Sequence, residues 1–91
     1  MLEKVRLALR LKNTAYDEEI IDIIEAAKLD LKGAGVKKLI DEDPLIRRAI
    51  IIYSKANFGL NNPDAEKYQQ SFTTLKEHMA VSSDYNTEPG V

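Results

Sequence analysis

Apolar residues recur along the chain at spacings of three and four, the period of a helix that packs by one face. Leu2, Val5, Ala8, Leu9 and Leu11 form the first stripe and predict a helix over about residues 2–11. Asn13-Thr14 interrupts it. Thr14 reads as an N-cap, followed by Asp17, Glu18 and Glu19 in a first turn where the helix dipole favours negative charge. The second helix then runs to about Lys32 on Ile20, Ile24, Ala27 and Leu31, widened by Ile21 and Ile23, with Gly33 as its expected stop. Val36-Lys37-Lys38-Leu39-Ile40 fits either a turn of helix or an extended link. Asp43-Pro44 pairs a capping carboxylate with proline at the first helical position and predicts a third helix over about 44–58. Its apolar residues cover most of its circumference, so it should lie centrally among several neighbours. Ile50-Ile51-Ile52 would also suit a strand, but the proline start and the small Ala49 and Ala56 favour a helix. Gly59 closes it, and Asn62-Pro63 repeats the cap-plus-proline signal. A fourth helix over about 63–80 carries a narrow stripe of Ala65, Tyr68, Phe72, Leu75 and Met79 and so belongs on the outside.

The pattern predicts an all-α fold. It is a small bundle of four main helices with a short extra helical turn or link and a flexible C-terminal tail. The helical domain spans residues 1–81 and the polar tail 82–91, where burial of Tyr85 within the domain is not expected. A chain of 91 residues suits one domain. Such a domain buries only about two-thirds of its unfolded surface, which leaves surface for partners. The apolar share of 44% argues against global disorder. With no cysteine, disulfides and thiolate metal sites are excluded, and a reducing cytosol fits. The charged, periodic opening residues show no signal peptide, and no apolar run approaches bilayer length.

A net charge of −2 is a poor balance for gripping phosphates. The charge is unevenly spread. Lys4, Arg6, Arg10 and Lys12 make the first stripe basic; Asp17, Glu18, Glu19, Asp22, Glu25 and Asp30 make the second acidic; Arg47, Arg48 and Lys55 make the third basic. Such alternation suits helices lying against each other, or identical subunits meeting side by side, and equally suits ordinary solvated faces. Candidate chemistry is sparse. His78 is the one histidine, near a helix end beside Glu77 and Met79, and reads as a helix-end cation or a solvated residue. The acids at 17–19 sit at a helix start and point in different directions, and Asp43 of the 41–43 acids is used as a cap. Neither group is a metal site, and Gly33-x-Gly35 lacks the context of a phosphate loop. Reading helices two and three as a helix-turn-helix would make Arg47 and Arg48 DNA contacts. The third helix is too apolar for a groove and the link too long for that motif, so solvated or subunit-facing arginines fit better. Tyr53, Phe58, Tyr68 and Phe72 read as core and hinge aromatics between helices three and four. Tyr85, in a polar tail, reads either as an anchor for a partner or as a stray exposed tyrosine.

Three stretches carry a resemblance. They are Val5-Arg6-Leu7-Ala8-Leu9-Arg10-Leu11 followed by residues 16–27, then residues 43–53, then Lys55-Ala56-Asn57-Phe58-Gly59 leading through Asn62-Pro63-Asp64-Ala65 to Tyr68 and Leu75-Lys76. In their order and spacing the chain resembles the head–tail connector family of tailed bacteriophages, also described as DNA-packaging or head-completion adaptors. The resemblance implies a structural virion protein at the head–tail junction, made in the host bacterial cytoplasm, with no enzymatic activity and no cofactor or metal. It implies a ring of identical copies under the portal protein once DNA is packaged, joined to a stopper or tail-completion protein. Passing contact with packaged DNA and no membrane partner are also implied. Ring contacts would join two different faces, for which Arg6 and Arg10 of the first helix and Asp22 and Glu25 of the second are candidates, with Arg47 and Arg48 subunit-facing and Tyr85 on an arm toward the portal. The competing reading is a small helical DNA-binding or regulatory module; tight, sequence-specific binding at physiological salt would distinguish it.

Overall fold

The computed structural model describes residues 1–88; residues 89–91 of the tail lie outside the described residues. Four helices follow in order: α1 (Leu2–Ala8), α2 (Asp17–Gly33), α3 (Pro44–Asn57) and α4 (Ala65–Ala80). Among the described residues there is no strand, so Ile50-Ile51-Ile52 is helical. Each apolar stripe contributes to one core: Val5 from α1; Ile20, Ile24, Ala27 and Leu31 from α2; Ile46, Ala49 and Ile50 from α3; Phe72 and Met79 from α4. α3 packs against the other three helices, as its broad apolar surface requires. Ser54 is buried with it, its hydroxyl donating to the Ile50 carbonyl at 2.8 Å.

The helix ends differ from the sequence expectation in instructive ways. α1 stops at Ala8, short of residue 11, because the chain turns there through a left-handed residue. Leu11 N–H donates to the Arg6 carbonyl and Arg10 N–H to the Leu7 carbonyl, with Arg10 at φ 60°. This is the Schellman arrangement built on a non-glycine residue. The same two bonds end α2, from Val36 to Leu31 and from Gly35 to Lys32, with Gly35 at φ 104°. Gly35, not Gly33, is therefore the stop, and Gly33 is the last helical residue. The closure places Val36 against Leu31, both fully buried. Thr14 does not cap α2: its carbonyl accepts from Asp17 N–H in a turn, and the helix begins after Tyr16. Asn62 likewise makes a turn, accepting from Asp64 N–H at 3.1 Å, so that α4 starts two residues beyond Pro63. The Asp43-Pro44 start stands as expected: Asp43 Oδ1 accepts from Leu45 N–H at 2.9 Å and Ile46 N–H at 3.2 Å.

Residues 36–40 are an extended link, not a turn of helix. The link matters because the beginning of the polar tail lies against it. The expectation that Tyr85 stays outside the domain is corrected here. Its carbonyl accepts from Lys37 N–H at 2.7 Å and Lys38 N–H at 3.2 Å, and its ring packs on the edge of the core. An extended link exposes backbone donors that no helix satisfies, and Tyr85 supplies the acceptor.

Candidate functional site

The sequence candidates fall into three separate places. Arg6 uses its guanidinium inside the chain, donating from Nε to Asp17 Oδ1 at 3.1 Å and from Nη2 to Asp17 Oδ2 at 2.7 Å. This two-point hydrogen bond to Asp17 raises the Arg6 pKa further above its ordinary value, against a smaller opposing effect of burial. Basic α1 and acidic α2 thus meet within one chain. Arg10 is exposed on the turn beyond α1 and does not join this pair.

Tyr85 lies elsewhere, in a polar knot around Asp43. Its hydroxyl is 3.0 Å from Asp43 Oδ1 and 3.2 Å from Oδ2, and Lys38 Nζ is 2.9 Å from Oδ2 and 5.3 Å from the centre of the Tyr85 ring. One carboxylate therefore caps α3, anchors the link and holds the tail. Burial works against its charge, but hydrogen bonds from Lys38, Ile46 N–H, Tyr85 and Leu45 N–H together outweigh it and hold its carboxyl below the ordinary range. The Tyr85 phenol is raised, by burial first and then by its bond to Asp43. Lys38 is raised chiefly by its hydrogen bond to Asp43.

The third place is the outer side of α3 and α4. α3 faces the core with Ile46, Ala49 and Ile50, so Pro44, Arg48, Ile51, Ile52 and Lys55 emerge on its opposite side. There they meet Lys67, Tyr68, Ser71, Thr74, Leu75 and His78 of α4. The result is an open groove made of two adjoining depressions of ≈ 680 Å³ and ≈ 550 Å³. Its floor is apolar, and Arg47, Arg48, Lys55 and Lys67 supply positive charge; no carboxylate lines it. None of these four cations forms an ion pair with a described residue, although Lys55 Nζ lies 5.7 Å from the centre of the Tyr68 ring. Of the sequence candidates, Arg47 and Arg48 are brought together here. His78 is exposed in the last turn of α4 and borders the groove.

Asp22 and Glu25 lie together on the outward face of α2, both exposed. Among the described residues, no group of three or more carboxylates and histidines is placed to hold a metal. Sequence reasoning missed the groove, and Lys67 with it, because it placed α3 centrally among several neighbours and did not pair its outer side with α4. The signal was present in Arg48, Ile52 and Lys55, which repeat at helical spacing opposite the core stripe. The aromatic expectation divides. Tyr53 and Phe72 pack edge-on at 4.9 Å between α3 and α4, whereas Phe58 packs on Tyr16 at 5.5 Å and Tyr68 borders the groove.

Compared with known proteins, residues 1–86 match the sequence profile of the phage connector protein family. No curated protein and no solved structure matches the chain significantly. The match covers the four helices and extends past Tyr85.

Proposed function

Because the chain belongs to the phage connector protein family, a structural family of the virion, we propose that it is a head–tail adaptor that forms a ring under the portal after DNA packaging. The ring extends the portal channel and offers a platform to the stopper or tail-completion protein. The observation that carries this reading is the extent of the family match. It spans the folded body, so the shared property is the whole helical unit and its surfaces rather than one local motif. The structure adds support of a physical kind. The knot at Asp43 and the Arg6–Asp17 pair rigidify the body. The acid face of α2 and the basic groove leave charge exposed where another chain can meet it. Copies would be made in the host bacterial cytoplasm and take their place in the virion, where packaged DNA passes. A chain of net charge −2 around that channel would let DNA slide without holding it.

The test is to mix the purified chain with portal rings and examine them by electron microscopy. Added density as a ring on one end of the portal is the expected result. Bare portals, with the chain shown by circular dichroism to be folded, would overturn the proposal. Among the described residues no helix is long and apolar enough to cross a membrane.

A further inference from the structure

α2 presents a second ordered face besides the one it buries. Its buried stripe is Ile20, Ile24, Ala27 and Leu31. At 100° per residue the opposite side carries Glu18, Asp22, Glu25 and Leu29, with Ile21 on its flank and Lys32 the one cation beside them. The three acids are exposed and form no ion pair with a described residue. The two apolar residues are unusual in that position: Ile21 is 41% and Leu29 68% exposed. An outward helix face that combines acids with large aliphatic side chains is built to be covered. Its acids exclude an acidic partner, and its aliphatic residues ask for an apolar floor. The α3–α4 groove has both complements, with Ile52 and Leu75 below and Arg48 and Lys67 at its edges.

We infer that the outer face of α2 of one copy seats in the α3–α4 groove of the next, with Asp22 and Glu25 meeting Arg48 and Lys67 and with Leu29 reaching the Ile52–Leu75 floor. This rests on the ring reading and names its subunit contact. The two faces point away from each other in one chain, because α2 packs on the buried side of α3 and the groove lies on the other. A contact between opposite faces is heterologous and propagates from copy to copy, closing into a ring if the rotation per step allows. Two-fold pairing would instead need one surface to match itself. The pairing of Arg6 with Asp17 inside the chain takes one cation out of the basic stretch at α1, whereas the groove cations lie beside an apolar floor that can receive Leu29.

The experiment uses the full chain on portal rings, with decoration counted by electron microscopy and neighbours identified by amine-to-carboxylate crosslinking and mass spectrometry. The groove variant is R48E/K67E and the face variant D22K/E25K; all four positions are exposed, so each variant should keep the helical circular dichroism of the wild type. Each alone should need at least about tenfold more protein for half decoration, since like charges are juxtaposed at every contact. Mixed in equal amounts, the two should recover decoration in alternating rings, because each then meets a complementary neighbour. Crosslinks in the wild type should join α2 acids to Lys67. Wild-type rings whose assembly ignores both variants would overturn the groove contact and leave the ring reading standing. Failure of the wild type to form rings at all would overturn both. A groove variant that loses only binding to duplex DNA, with assembly intact, would reassign the groove to nucleic acid.

Discussion

Replacing Asp43 with alanine should be the most informative polar substitution in this protein, because one side chain joins three segments. The alanine variant loses the cap on Leu45 and Ile46 N–H, worth about 1 kcal/mol. It also loses the charged acceptor of the Tyr85 hydroxyl, worth roughly 1.5–3 kcal/mol before discounting for partial exposure. The bond to Lys38 is too exposed to add a separate figure. The expected cost of D43A is therefore about 2–3 kcal/mol, a large part of the roughly 5–15 kcal/mol that stabilises an ordinary domain. D43N is the control. Asparagine caps a helix as well as aspartate does and still accepts from Tyr85, so it should cost only about 1 kcal/mol. Y85F alone should cost about 1 kcal/mol, and nothing further once Asp43 is alanine, giving a coupling of about 1 kcal/mol in the double-mutant cycle. Urea unfolding followed by circular dichroism measures the four variants, the double variant included, against the wild type. A D43A cost below about 0.5 kcal/mol, or equal effects of Y85F in both backgrounds, would refute the reasoning that Tyr85 is held through this carboxylate.

Acid and base should each weaken the same knot, from opposite ends of the pH range. The Asp43 pKa is depressed, so its contribution is present above the ordinary carboxylate value of 3.8 and is lost as pH falls through the folded value; the stability gap between wild type and D43A should close in acid and a constant gap would contradict it. The Tyr85 pKa is raised, so its contribution is present below the ordinary value of 10.0 and lost as pH rises through the folded value. Alkaline titration should therefore narrow the wild-type lead over Y85F. R10G should raise stability by about 1 kcal/mol, because Arg10 sits at φ 60° where glycine carries no Cβ penalty; an unchanged or lower melting temperature would show the turn to be unstrained. F72A should cost about 3–5 kcal/mol, enough to leave the chain partly unfolded, since Phe72 is fully buried against Tyr53; a melting temperature near wild type would mean the α3–α4 contact is not part of the core.

What the amino-acid order alone determined is what local rules govern. The four apolar stripes fix four helices and most of the residues that bury, because helical periodicity is a property of neighbours three and four apart; Ile21, counted in the second stripe, is 41% exposed, and Val36, outside the stripes, is fully buried. Asp43-Pro44 fixes the start of α3, because capping needs only the next three residues. Local rules failed where two endings competed: Gly33 and Gly35 both could stop α2, and the choice fell to Gly35, whose closure buries Val36 on Leu31. The same holds at Arg10, where no glycine marked the left-handed turn.

Tertiary structure decided which polar groups meet. Tyr85 and Asp43 are 42 residues apart, and nothing in a polar tail announces that the link at 36–40 will leave two backbone donors waiting for its carbonyl. Arg6 could have faced solvent or a neighbour; the packing of α1 on α2 gave it Asp17. Arg48 and Lys67 share a groove only because α3 and α4 lie side by side, which no spacing along the chain specifies. Periodicity tells a helix which side to bury, while the partner of each remaining side chain depends on how rigid helices come to rest against one another.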